Sequence, residues 1–91
     1  MGVKVRVPTA LRKLCAGADV VVVEGSNVRS AIENLRGRHP DLAAQLVDDA
    51  GAVRRFVNLF ANDEDIRFLD DLDTALSDGD ELSIVPAIAG G

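Results

Sequence analysis

The sequence closes on "IVPAIAGG", five residues beyond Pro86 that carry no side-chain charge and finish on Gly90 and Gly91. A glycine pair has no Cβ, so it passes through narrow channels and turns at φ values other residues avoid. Five extended residues reach roughly 16 Å, and Ala87, Ile88 and Ala89 bring no charge that must be desolvated on entering a partner's active site. The group at this end with reactive potential is the Gly91 carboxylate. Ionised at neutral pH, with a reference pKa of about 3.5, it is a poor acyl electrophile. It becomes one when another enzyme converts it with ATP into an acyl-adenylate. A sulfur nucleophile that displaces AMP then leaves a thiocarboxylate, whereas a lysine amine leaves an isopeptide bond. We therefore expect Gly91 to be the covalently modified residue and residues 87–91 to be the segment inserted into a partner.

Other chemistry is poorly equipped. His39 is the single histidine and Cys15 the single cysteine, so a zinc site of the usual kind cannot be assembled and no metal ligands are expected. Cys15, beside Leu14, reads as a small half-buried hydrophobe more readily than as a reactive thiol. In "DDLDTALSDGDE", Leu76 stands where a calcium loop beginning at Asp71 needs glycine, and no glutamate closes the register. No G-x-x-x-x-G-K-S/T or G-x-G-x-x-G phosphate loop occurs. The chain is expected to have no catalytic residues and to act as a carrier on which partner enzymes work, with no cofactor of its own.

Ninety-one residues suffice for one domain with a modest core, here of Val, Leu, Ile and Ala with three phenylalanines and no Trp or Tyr. The net charge of −5 is unevenly spread. Residues 1–56 hold nine Lys and Arg against six Asp and Glu, while residues 57–91 hold nine acids against Arg67 alone. An acidic C-terminal half opposes nucleic-acid binding and suits a basic partner surface. No apolar run approaches a membrane span and no signal-peptide core is seen. With one cysteine and hence no internal disulfide, the expected compartment is the reducing cytoplasm.

The elements that must position the tail follow from periodicity. "VKVRV" alternates at period two and reads as a strand ended by Pro8. "DVVVVEG" is a second strand, with residues 8–18 as a long hairpin-type connection. Ser26 and Asn27 are N-cap candidates for a helix whose apolar stripe is Val28, Ala31, Ile32 and Leu35, with Gly37 as C-cap and Pro40 preventing continuation. "DLAAQLVDD" adds a short helix or turn with Leu42, Leu46 and Val47 inward. "RRFVNLFAND" reads as a central strand, "NDEDIRF" as a turn and short edge strand, and "ELSIVP" as the last strand, stopped by Pro86 after the turn signal at Asp78, Gly79 and Asp80.

Strand, strand, helix, strand, short strand, strand is an α+β order. It points to a β-grasp, or ubiquitin-like, mixed sheet with one main helix packed across it, a domain spanning residues 1–86 followed by a flexible tail at 87–91. If Val57, Leu59 and Ala61 join Val3, Val5 and Val7 in the core, then Phe60, Val85 and Arg6 fall on the opposite sheet face, a candidate partner-docking face. Alternatively, residues 8–18 cover Phe56 and Phe60. Alternation alone leaves both open.

Over essentially its whole length the sequence resembles the ubiquitin-like sulfur-carrier proteins, which include the molybdopterin synthase small subunit and the thiamine-pathway carrier. The shared features are "VKVRVP", the valine-rich second strand, "NVRSAIENL", "VNLFANDEDIRF" and "TALSDGDELSIVPAIAGG". Through "RFVNLFANDEDIRF" and "PAIAGG" it looks most like the carrier serving actinobacterial cysteine biosynthesis. The resemblance implies activation by a ubiquitin-activating-type adenylating enzyme using ATP, then sulfur transfer to Gly91. Sulfur would pass to a serine-derived acceptor on a pyridoxal-phosphate cysteine synthase, and a zinc-dependent peptidase would release cysteine. The alternatives are the molybdopterin or thiamine branch, a ubiquitin-like protein modifier, and a binding module whose tail is incidental.

Overall fold

The computed structural model describes residues 2–86, and the tail expected to carry the chemistry lies outside them. Alternation organises the first strand, β1 (Gly2–Arg6): Val3 and Val5 are fully buried while Lys4 and Arg6 face solvent. β2 (Val20–Glu24) pairs antiparallel with it and buries Val21 and Val23. The connection between them is the expected long hairpin-type link, and it holds a 3-10 segment, Thr9–Cys15. Leu11 and Leu14 of this segment pack on the core, Cys15 enters it, and the segment lies against the second helix. The supposition that residues 8–18 cover Phe56 and Phe60 is therefore wrong, because those apolar side chains draw the segment to the helical side of the sheet.

The period then changes to that of a helix, α1 (Val28–Arg38), whose Val28, Ala31, Ile32 and Leu35 are all buried. Asn27 is the N-cap. Its side chain accepts the Ser30 N–H at 2.8 Å, and Ser30 Oγ accepts the Asn27 N–H at 3.1 Å, a reciprocal capping box. Gly25 lets this helix start close against β2, since a Cβ there would lie 2.9 Å from the backbone of Ala31. Gly37 is not the C-cap: α1 continues to Arg38 and His39 caps it at φ −137°. The ring of Pro40 excludes a helical residue before it, so the break falls on His39. Pro40 then opens α2 (Pro40–Leu46), proline being favoured in a first turn. As expected, Leu42, Leu46 and Val47 are buried.

β3 is shorter than expected, Val57–Ala61, because residues 54–57 form a turn closed by the Val57 N–H to Arg54 O bond at 3.1 Å. Phe56 consequently lies outside the strand and is 51% exposed. β4 (Glu64–Asp65) is the short edge strand, and the 3-10 segments Ile66–Phe68 and Asp71–Asp73 lead on to the turn at Gly79 and to β5 (Glu81–Pro86). The strand order is β2-β1-β5-β3-β4, with β1 and β5 parallel and the other pairs antiparallel. The last strand, not β3, is thus the central one. α1 and α2 lie on the inner face, where Val3, Val5, Val57, Leu59, Leu82 and Ile84 join Leu35, Leu42 and Leu46. Among the described residues no helix is long and apolar enough to cross a membrane.

Candidate functional site

The site begins where the sheet hands over to the tail. β5 is paired on both sides, so Pro86, the last described residue, belongs to the middle strand of the sheet. Pro86 itself keeps register opposite Val57 as the last residue of β5, and whether pairing stops there lies outside the described residues. Strand parity lets a proline keep this register. The Asn62 N–H bonds to Glu81 O at 2.9 Å, which directs the peptide groups of residues 81, 83 and 85 toward β3 and those of 82, 84 and 86 toward β1. β1 has already ended at Arg6, opposite Ser83. The N–H that proline lacks would have faced a side with no strand left to receive it. The expected modification site Gly91 and the tail residues Ala87, Ile88, Ala89 and Gly90 lie outside the described residues, as does their expected mobility.

The structure brings the three docking-face residues together on the outer face of the sheet. Register places Val20, Arg6, Ser83, Phe60 and Asp65 in one row across all five strands. Val85 lies diagonally beside Phe60, opposite Asn58. Phe60 is half-buried and Val85 is 42% exposed. They make a small apolar island flanked by Ser83 and Asn58, and among the described residues no helix covers it. Arg6 Nη1 donates to Glu81 Oε1 at 3.1 Å, holding a cation beside the island. At the far end of the row Asp65 accepts from Arg67 Nε and Nη2, the latter at 2.7 Å, and from the Arg67 backbone N–H at 2.9 Å. The Arg67 side-chain hydrogen bonds, first, and the backbone one hold the Asp65 carboxyl below its ordinary range. Asp65 in turn raises Arg67.

Sequence reasoning missed that Val20 and the half-exposed Val22 extend this face. In "VVVV" both faces carry the same residue, so a period of two has no contrast to show. It also missed the Asp65–Arg67 lock, because a pair two residues apart signals nothing until a turn folds it together. Beside the tail exit a cleft of about 330 Å³ is bordered by Arg54, Arg55, Arg67 and Val57. Arg54 Nε is tied to Ala44 O at 2.8 Å, and Arg55 makes no hydrogen bond or ion pair with any described residue. Arg54 and Arg55 of the basic half and Arg67, the one cation of the acidic half, thus gather around the exit.

The nucleophile and base candidates are not assembled. Cys15 is 2% exposed, with Sγ 3.3 Å from Ala18 O and 3.5 Å from Arg12 O, the position of a core side chain. His39 sits at the junction of the two helices.

The ThiS family matches residues 5–91. The sulfur carrier protein CysO of Mycobacterium tuberculosis is 40% identical over 93 residues, covering 100% of both chains. In the crystal structure of the Amycolatopsis orientalis BexX/CysO complex, a chain with 40% identity superimposes with a TM-score of 0.89, covering 98% of this chain and 99% of that one. The molybdopterin synthase sulfur carrier subunit of M. tuberculosis is 31% identical over 85 residues, which are 90% of this chain and 88% of that one.

Proposed function

The chain belongs to the ThiS family of ubiquitin-like sulfur carriers, and from that premise we propose that Gly91 is the atom-carrying residue of a sulfur relay. Its carboxylate oxygen attacks the α-phosphorus of ATP on an adenylating enzyme of the ubiquitin-activating type, releasing pyrophosphate and forming the acyl-adenylate. A sulfide-level nucleophile attacks the acyl carbon, AMP leaves with the C–O bond electrons, and the thiocarboxylate remains. The chain acts as a co-substrate and holds no cofactor itself. ATP belongs to the activating partner, pyridoxal phosphate to a cysteine synthase that presents the serine-derived acceptor, and zinc to a peptidase that releases cysteine. We place this relay in the cytoplasm.

The observation that carries this reading is geometric. A family member aligned along its whole length ends its central strand at Pro86, and the open face bearing Phe60, Val85 and Arg6 borders that same strand. A partner that seats on this face has the roughly 16 Å of residues 87–91 within reach of its active site. The cysteine branch is favoured over the molybdopterin branch by 40% against 31% identity. In the second reading the chain is a lasting subunit of a molybdopterin synthase and never carries cysteine.

Pyrophosphate exchange with the cognate adenylating enzyme tests the first step. Exchange should depend on the intact chain and vanish when Gly90 and Gly91 are deleted. Undiminished exchange after that deletion refutes Gly91 as the activated residue. Conjugates to lysines of other proteins, with no thiocarboxylate, would assign the chain to protein modification instead.

A further inference from the structure

β2 is the outer strand on the β1 side of the sheet, and four of its five residues are valines. Such an edge ordinarily offers a row of unpaired N–H and C=O groups to any second strand. The Val7 N–H bond to Asp19 O at 2.8 Å sets the parity here. Residues 19, 21 and 23 direct their peptide groups toward β1, and Val20, Val22 and Glu24 direct theirs outward. Two of those three outward carbonyls are occupied by side chains of α1. Asn34 Nδ2 donates to Glu24 O at 2.7 Å, and Arg38 Nη1 donates to Val22 O at 2.7 Å. The fit follows from the repeat lengths: four helical residues rise about 6 Å, and two strand residues about 6.7 Å. Donors one turn apart on α1 therefore meet successive outward carbonyls on β2.

We infer that Asn34 and Arg38 keep this chain monomeric by closing an edge whose occupant would otherwise be a second copy of β2. The strand is self-complementary. Two copies running antiparallel about Val22 set Val22 opposite Val22, each N–H donating to the other's carbonyl, with Val20 opposite Glu24. The outward Val22 side chains, 52% exposed, then meet across the two-fold axis. Arg38 occupies the very acceptor this pairing needs. The inference is independent of the sulfur-carrier reading.

Sedimentation equilibrium of three full-length proteins tests it: the parent, the Asn34→Ala/Arg38→Ala double variant, and the same variant carrying Val22→Lys. The parent should stay monomeric. The double variant's weight-average mass should rise toward about twofold with concentration. Val22→Lys should reverse the rise, because two lysines would then face each other at the axis. A double variant that stays monomeric overturns the inference, as does a dimer indifferent to Val22→Lys or a parent that already pairs through β2. Both substituted residues are exposed. Should the double variant lose its circular dichroism, Arg38→Ala alone is read by the same criteria.

Discussion

Phe60 and Asp65 lie opposite each other on β3 and β4 and serve different ends. Phe60 is a half-buried aromatic on a face that no helix among the described residues covers, the setting of an interface anchor. Phe60→Ala should raise the KM of the adenylating enzyme for this chain by about tenfold or more while kcat at saturation holds. An unchanged KM from a folded variant would remove Phe60 from the docking face. Asp65 instead secures the turn after β4. Its carboxyl is held below the ordinary range by the Arg67 hydrogen bonds. A depressed pKa adds stability that is present above the unfolded value, about 3.9, and is lost as pH falls through the folded value. Asp65→Asn should therefore lower Tm at neutral pH, and the gap to the parent should narrow in acid. A gap that is constant or wider at low pH would contradict this assignment. Neither role is visible in one dimension. A phenylalanine in an alternating strand has two possible faces, and Asp65 and Arg67 are merely near neighbours until the chain turns.

The helices and strands were legible wherever polar and apolar residues alternate with contrast. α1 shows its stripe because charged and polar residues fill its outer face, and its cap was legible because Asn27 stands just before the stripe. Asn27→Ala should cost about 1 kcal/mol in denaturant unfolding. Gly25→Ala should cost more, about 1–3 kcal/mol, because the added methyl meets the backbone of Ala31 and no flexible side-chain end can yield. If the ranking were reversed, the close approach of α1 to β2 would not be the constraint it is held to be. Element ends were harder to read. Pro40 was legible as a stop but not as the start of α2, since one ring geometry serves both positions. That Pro86 fits within the ladder was not legible, because its missing N–H matters only on the side it faces, and that side is set by register with Asn62 and Glu81.

At the scale of the whole molecule, the strand order makes the last strand central, which places the tail exit and the outer face on one strand. That arrangement follows from non-local pairing of β5 between β1 and β3, which periodicity does not encode; the order of elements pointed to a mixed sheet and left the place of its last strand open. Charge is divided as well: the acidic C-terminal half suits a basic partner, so docking should weaken as salt rises. Activation kinetics that are flat with ionic strength would show that the acidic surface takes no part. The most direct measurement is intact-mass spectrometry with C-terminal fragmentation, made after incubation with ATP, a sulfur source and the cognate activating enzyme. The relay predicts a mass gain equal to exchanging one oxygen for sulfur, localised to Gly91, and cysteine at the same residue once the acceptor enzyme is added. A Gly91 carboxylate that stays unmodified under these conditions would contradict it.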